Sequence, residues 1–238
     1  MRFISDLACE LLRRRPANLP GVTITTHRQH RVTTQTTVIT DLEAAKTIGK
    51  PLGTYLNLDA SAATDNQTST ALINGLRPLL TTPGKLLVVG LGNDNIVADS
   101  LGPQVLQRLQ TGDNLVTFAP SVFGVTGINS VDAIQAITKL VQPTTVIIID
   151  SLVSAAPERI GTNYQICTSG ITPGSGIGRN NQRLDQNLLG VPVLAIGIPV
   201  CTIMTRPKQQ IYHVVPKDID LVINDCATNI ANALNNWA

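Results

Sequence analysis

The chain has 238 residues, of which 43% are hydrophobic and 14% charged, and its formal net charge is +2. This composition excludes a disordered protein, and the longest apolar runs are too short for a membrane helix, which needs ~20 residues. The small charge, without a long basic block, argues neither for nor against a nucleic-acid partner.

The first third of the chain predicts short helices and strands. Residues 4–15 have the apolar spacing of a helix, and "VTITT" and "RVTTQTTVI" read as two strands joined by a turn around Arg28–His30. Thr40 and Glu43 have capping-box spacing and predict a short helix in "TDLEAAKTIGKP". "GTYLNLD" is a further predicted strand, and residues 66–80 a helix.

From Lys85 onward, continuous apolar strands alternate with amphipathic helices. Strands are predicted at 86–91, 115–119, 145–149, 164–168 and 193–198, and helices at 100–110, 129–142 and 217–237. Strands that are apolar on both faces are typical of a parallel sheet covered by helices. The prediction is an α/β fold: a mostly parallel doubly wound sheet with helices on both faces, phosphorylase/hydrolase-like, with a small β-rich amino-terminal addition.

We predict a single domain over residues 1–238, with an amino-terminal layer at 1–83 and an α/β core at 84–238. The start of the chain lacks the segment order of a secretory signal, so a cytoplasmic protein is expected. The four cysteines are widely spaced without a C-x-x-C pair, which predicts reduced, buried thiols and neither a zinc site nor a disulfide framework.

The stretch "LLVVGLGNDNIVADSLGP" resembles a dinucleotide-binding turn at first sight. A Rossmann turn needs G-x-G-x-x-G directly after the first strand. Here Gly90 and Gly92 have no third glycine until Gly102, and no acidic residue stands where the ribose would need one. The lysine of a P-loop is also absent. The sequence therefore disfavours a nucleotide site.

Two acidic residues follow predicted parallel strands. Asp99 comes after 86–91 at the start of a helix, and Asp150 directly follows "VIII". The carboxyl ends of parallel strands form the ligand crevice, so both carboxylates are expected at one site. Two close carboxylates cannot both ionise easily, so one would keep a proton and the other accept one, as hydrolysis of an amide requires. The alternative is that Asp99 only caps a helix and Asp150 only its following turn.

A long loop, "TSGITPGSGIGRNNQ", contains four glycines in nine residues. Its backbone N–H groups could form an anion or oxyanion pocket, and a flexible surface loop without a ligand is the alternative. His27, His30 and His213 are scattered without metal-ligand spacing, so neither a metal nor a cofactor is expected.

Several of these segments together resemble the germination protease family, whose members degrade small acid-soluble spore proteins. The resemblance is carried in one order by "DLACE", "AKTIGKPLGTYLNL", "VVGLGNDNIVADSLGP", "APSVFGVTGINS", "VIIIDSLVSAAPERIGTNYQI", "TSGITPGSGIG", "LGVPVLAIGIP" and "VVPKDIDLVINDCATNIANALNNWA". It covers most of the chain.

The resemblance implies an α/β fold related to hydrogenase maturation endopeptidases and an unusual aspartic-type mechanism. The family's proposed catalytic pair falls on Asp99 and Asp150. We also expect substrate contacts from four further residues: Asn93, Gly174, Ser175 and Gly176.

The chain departs from the family pattern at several places. Ala155 stands where a basic residue is expected, Thr172 where a histidine is expected, and residues 201–213 form a shortened segment. The chain is also expected to lack the family's propeptide, because Met1 lies near the start of the processed form.

Three hypotheses about function follow. The first is a germination-protease-type endopeptidase that acts on protein or peptide substrates, without direct nucleic-acid or membrane partners, as a homo-oligomer. The second is a maturation-type endopeptidase guided by a divalent metal. The third is an inactive binding or assembly protein on the same scaffold.

Overall fold

The computed structural model describes residues 5–13, 19–120, 127–174, 182–206 and 210–236. Across those ranges, none of the helices combines the length and the apolar character that crossing a membrane would require. The four cysteines, Cys9, Cys167, Cys201 and Cys226, are buried free thiols, as predicted.

Nine strands and seven α-helices are assigned in these ranges. The strands are β1 (Val22–Gln29), β2 (Val32–Ile39), β3 (Gly53–Asp59), β4 (Leu86–Gly90), β5 (Leu115–Phe118), β6 (Thr145–Ser154), β7 (Asn163–Cys167), β8 (Val193–Arg206) and β9 (Gln210–Val214). The helices are α1 (Ala8–Leu12), α2 (Leu42–Ile48), α3 (Asp65–Leu76), α4 (Leu101–Leu106), α5 (Ser130–Val141), α6 (Gln186–Leu189) and α7 (Ile219–Asn235). Short 3₁₀ turns lie at Val97–Asp99 and Pro157–Arg159.

All nine strands form one sheet in the order β1-β2-β3-β7-β8-β6-β4-β5, and β9 pairs with β8. The pairings of β4 with β5, β4 with β6 and β6 with β8 are parallel. The other five described pairings are antiparallel. The sheet is therefore mixed, and the prediction of a mostly parallel sheet is wrong.

The error has two physical causes. Burial on both faces, which β7 shares with the parallel strands, carries no information about strand direction. The connection 155–162 that leads into β7 is also too short for a parallel crossover, which needs a dozen or more residues. Because β7 pairs with β3, the amino-terminal strands extend the same sheet and do not form a separate addition.

Two apolar clusters use alternate residues of the central strands. Leu86 and Val88 of β4 belong to a cluster that includes residues of α3, α4 and α7. Leu87 and Val89 belong to a second cluster that includes residues of α5. This alternation follows from the two-residue period of a strand, which sends successive side chains to opposite faces.

Two element boundaries differ from the prediction, and the first of them changes the placement of a predicted site residue. Strand β6 continues to Ser154, so Asp150 lies within the strand and not after its end. The amino-terminal cap of α2 is Asp41, whose carboxylate accepts from the Ala44 N–H, and not Thr40. Strand β9 and the long carboxyl half of β8 were not predicted at all.

Candidate active site

A cavity of about 490 Å³ is lined by Asp150–Val153 of β6 and, in the segment after β4, by Ile96, Ala98 and Asp99. Asp99 and Asp150 both line it, so the structure brings together the two acids predicted from strand ends. Asp6, from the amino-terminal segment, is a third carboxylate on the same cavity wall.

The loop after β4 is shaped to place Asp99. The Asn93 N–H donates to the Asp99 carbonyl at 2.9 Å, and the Asp99 N–H donates to the Ile96 carbonyl at 2.8 Å. Gly92 adopts φ +119°, and a Cβ built there would lie 1.9 Å from the Asp99 carbonyl oxygen. Only glycine suits such a backbone conformation and such a close approach. The second glycine of the apparent nucleotide motif therefore serves the turn that presents Asp99.

The first glycine of the motif serves helix packing. A Cβ at Gly90 would lie 2.6 Å from the Gly102 carbonyl group, and a Cβ at Gly102 would lie 2.3 Å from the Leu91 carbonyl oxygen. The start of α4 thus rests directly on the end of β4, and this contact fixes the chain on both sides of Asp99.

We expect Gly92→Ala to destabilise the protein by about 1–3 kcal/mol, the usual cost of a strained backbone conformation. By displacing Asp99 it should also abolish the peptide cleavage that the sequence resemblance implies. Chemical denaturation and a peptide-cleavage assay measure the two effects. Gly112→Ala is the matched control, because a Cβ at Gly112 meets nothing within 4 Å. Equal stability and activity in both variants would contradict the assigned role of Gly92.

Asp150 lies opposite Gly197 in the β6–β8 pairing, and its Oδ1 accepts from the Ser151 N–H at 2.9 Å. Burial raises the pKa of Asp150 to about 8, and the negative charges of Asp99 and Asp6 act in the same direction. The hydrogen bond from Ser151 opposes the rise without cancelling it. Asp150 therefore carries a proton at neutral pH.

A protonated carboxyl beside a second carboxyl group can supply both halves of acid–base catalysis. One group donates a proton to a developing oxyanion or leaving amine, and the other accepts a proton from water. Ser100, and not Asp99, occupies the cap position of α4.

The predicted substrate-binding residues have different outcomes. Asn93 does not line the cavity, and its Oδ1 accepts from the Asn95 N–H at 3.0 Å within its own loop. Gly174 lines the cavity with φ +72°. Ser175 and Gly176 lie outside the described residues.

Two cationic residues of the cavity wall were not predicted. Lys50 donates to the Asp6 carbonyl at 2.7 Å, and burial lowers the pKa of its amine. Arg183 donates to the Ser169 carbonyl at 3.2 Å. Both lie in connecting segments, where no helix or strand periodicity marks a residue as facing a site.

Two of the three departures from the family pattern contribute residues to the same cavity, and Ala155 does not line it. Thr172 lines it. The Ala155 N–H donates to the Glu10 carboxylate at 2.8 Å, a backbone contact that any residue but proline can make. The shortened segment contains the end of β8 and the start of β9, and His213 of β9 also lines the cavity.

The donor set of the cavity does not match a metal centre held by three protein ligands. In the part of the chain that the structure describes, no three His, Cys, Asp or Glu side chains are grouped closely enough to hold an ion.

Comparison with known proteins identifies a family model and several relatives to which the chain is similar. Residues 8–211 match the germination protease family model. The chain is 32% identical over 226 residues to the germination protease of Clostridium tetani, with 84% of this chain and 70% of the relative covered. It is 34% identical over 204 residues to that of Caldanaerobacter subterraneus subsp. tengcongensis, covering 76% and 63%. It is 36% identical over 191 residues to that of Bacillus subtilis, covering 68% and 51%.

Among solved structures, the chain is similar to a [NiFe] hydrogenase maturation protease, HycI, from Thermococcus kodakarensis KOD1. The TM-score is 0.42 at 18% identity, with 67% of this chain and 98% of that chain covered. The matched regions of the germination proteases named above amount to between 51% and 70% of their lengths. The family match extends from α1 into β9 and includes both aspartates, and the chain therefore belongs to the germination protease family.

Proposed function

We propose that the chain is an endopeptidase that hydrolyses peptide bonds with Asp99 and Asp150 as its catalytic pair. One observation carries the proposal: Asp150, whose pKa is raised to about 8, shares a cavity with Asp99. Family membership supports peptidase chemistry, and the shared cavity supports the pairing of the two aspartates.

In the proposed mechanism, Asp150 is the acid and Asp99 the base. Asp99 accepts a proton from a water molecule, and the oxygen of that water molecule attacks the carbonyl carbon of the scissile amide. Asp150 donates its proton to the carbonyl oxygen, which gives a neutral tetrahedral species. The C–N bond then breaks as the nitrogen takes up the proton held by Asp99 and the hydroxyl proton returns to Asp150. The products are a carboxylic acid and an amine.

The proposed substrates are proteins that resemble small acid-soluble spore proteins, and the proposed location is the cytoplasm. Family resemblance is the support for both. We also propose that the chain works as a homo-oligomer. Strand β1, at one edge of the sheet, has seven exposed residues out of eight and offers a surface for association.

The purified chain is expected to cleave a small acid-soluble spore protein at defined internal bonds, which mass spectrometry of the products will identify. The kcat/KM value should fall as the pH rises through about 8, because Asp150 then loses its proton. Activity should persist after treatment with a chelator, since the mechanism uses two carboxyl groups and no metal.

Two outcomes would contradict this proposal. Loss of activity on chelation, restored by one divalent ion, would favour the metal-guided alternative. Binding of the spore protein without cleavage at any pH between 5 and 9, about the range in which the carboxyl pair could hold one proton, would favour the inactive scaffold.

A further inference from the structure

Two side chains of the cavity wall meet at one main-chain carbonyl oxygen. The Lys50 amine donates to the Asp6 carbonyl at 2.7 Å, and the Gln165 side-chain amide donates to the same carbonyl at 3.1 Å. All three residues line the cavity that contains Asp99 and Asp150. A peptide carbonyl of the chain itself is therefore bound by two donors in the cavity where, under the proposed function, a substrate's main chain must bind.

The register of the sheet places Gln165 in the same row as Asp150. Gln165 of β7 lies opposite Gly197 of β8, and Gly197 lies opposite Asp150 of β6. Residues opposite each other on paired strands share one face of the sheet, and two strand spacings amount to about 10 Å. Gly197 also lines the cavity, and a Cβ built on it would lie 2.5 Å from the Leu152 side chain. No side chain of β8 thus stands in this row between the Gln165 amide and the Asp150 carboxyl group.

The Gln165 amide is oriented by helix α1. Its side-chain oxygen accepts from the Ala8 N–H at 2.8 Å. Ala8 is buried at the start of α1, where backbone N–H groups have no partner within the helix. Because the oxygen of the amide is held by Ala8, the amide NH₂ group is the part that serves the carbonyl in the cavity.

The backbone around Lys50 is fixed on both sides. The Lys50 N–H donates to the Ala45 carbonyl at 3.2 Å, at the end of α2. The carbonyl of the next residue, Pro51, accepts from the Tyr55 hydroxyl at 2.8 Å. Within the described ranges Lys50 forms no salt bridge. The amine is therefore held on the cavity wall as a hydrogen-bond donor to a carbonyl, without a carboxylate partner.

Donors that are fixed in advance suit the binding of a substrate. Such groups lose little conformational freedom when an acceptor arrives, so more of the hydrogen-bond energy contributes to binding. A peptide carbonyl is present at every position of a protein chain, so a pocket for it holds the main chain whatever the neighbouring side chains are. The acceptor that fills this pocket here is of that kind, because it is the backbone carbonyl of Asp6.

We propose that Lys50 and Gln165 bind a main-chain carbonyl of the substrate next to the bond that is cut, and that the Asp6 carbonyl occupies their place of binding in this structure. This proposal rests on the proposed function. The scissile bond belongs to Asp99 and Asp150, and the two donors hold the neighbouring peptide group. A substrate carbonyl and the Asp6 carbonyl exclude each other from the pocket.

A set of fluorescent peptides from a small acid-soluble spore protein tests the proposal. In each peptide, one peptide group is replaced by a trans carbon–carbon double bond, which keeps the shape of the chain and lacks the carbonyl oxygen. Fluorescence anisotropy gives the Kd of each peptide for the full chain carrying Asp99→Asn, in which the peptides stay intact. One replacement should weaken binding about tenfold or more relative to the parent peptide, the scale of a strong hydrogen bond.

The dependence of this loss on Lys50 decides the proposal. When Lys50→Met is added, the two peptides should bind within about twofold of each other, because the donor is gone. Comparing two peptides within one variant cancels the Asp6 contact, which the substitution also removes. Lys50→Arg should retain the loss, since a guanidinium group still donates. Gln165→Glu should reduce it, because the carboxylate still accepts from Ala8 but does not donate.

Lys46→Met is the matched control. It removes a lysine from the exposed surface of α2, where Lys46 pairs with Glu43 at 2.7 Å, and Lys46 does not line the cavity. The full loss should remain in this variant. If no replacement causes a loss that depends on Lys50, if Lys46→Met removes the loss equally, or if the parent peptide does not bind, the proposal is overturned and Lys50 only tethers the segment before α1. The titration requires no cleavage, so a chain that binds as expected but cuts no peptide contradicts the proposed function alone.

Discussion

Asp99→Asn and Asp150→Asn are each expected to lower kcat/KM for peptide cleavage by about 10²–10⁴-fold, the usual contribution of one positioned acid or base. Asparagine at position 99 cannot accept a proton from water, and asparagine at position 150 cannot donate one to the carbonyl oxygen. The double variant should lose little more than either single variant, because the two groups act in one proton-transfer sequence. Initial rates at pH 6–7 measure the effect, and circular dichroism verifies that each variant is folded.

Asp94→Asn is the matched control for this pair. Asp94 lies in the same loop as Asp99, but it is exposed and accepts only a side-chain hydrogen bond from Gln107 at 3.2 Å among the contacts described. Its activity should equal that of the wild type. Activity within a few-fold of wild type in Asp99→Asn or Asp150→Asn would refute the two-aspartate mechanism and leave the family assignment intact.

The sequence predicts the central sheet well because its signals there are local. A continuous apolar run such as Val146–Ile149 is sufficient to identify a buried strand. Strand direction and order depend on contacts between distant segments, which no local pattern records. For that reason the sequence predicts a mostly parallel sheet and does not predict that β7 runs antiparallel to both β3 and β8.

The same distinction applies to the site. Asp99 and Asp150 were predicted because the carboxyl ends of parallel strands meet at one crevice, a rule that needs only the strand assignments. Asp6 lines the same cavity from the segment before α1, and Lys50 lines it from the segment after α2. The Lys50 side-chain amine donates to the Asp6 carbonyl at 2.7 Å, and no local spacing predicts this contact because it spans 44 residues of sequence.

The protonation state of Asp150 should also be measurable as stability, without any substrate. Its pKa is raised from 3.8 to about 8 in the folded chain, so between these pH values the folded state holds a proton that the unfolded state has released. The stabilisation from this proton is fully present below about pH 4 and is lost as the pH rises towards 8, at about 1.4 kcal/mol per pH unit. An asparagine at position 150 cannot ionise in the folded or the unfolded state, so the Asp150→Asn variant does not lose stability in this way as the pH rises.

At pH 4.5 the free energy of unfolding of Asp150→Asn should therefore be close to that of the wild type. At pH 8 it should be larger than that of the wild type by a few kcal/mol, because the difference grows by about 1.4 kcal/mol per pH unit. Urea denaturation at pH 4.5, 6 and 8 measures the difference, and Asp94→Asn should show a difference that does not change with pH. A constant difference for Asp150→Asn would mean that Asp150 is ionised throughout, which would leave the proposed mechanism without its acid. If the difference in free energy of unfolding between Asp150→Asn and the wild type grows with pH, and the variant no longer cleaves peptides, the same carboxyl group lowers the stability of the folded protein and supplies the proton for hydrolysis.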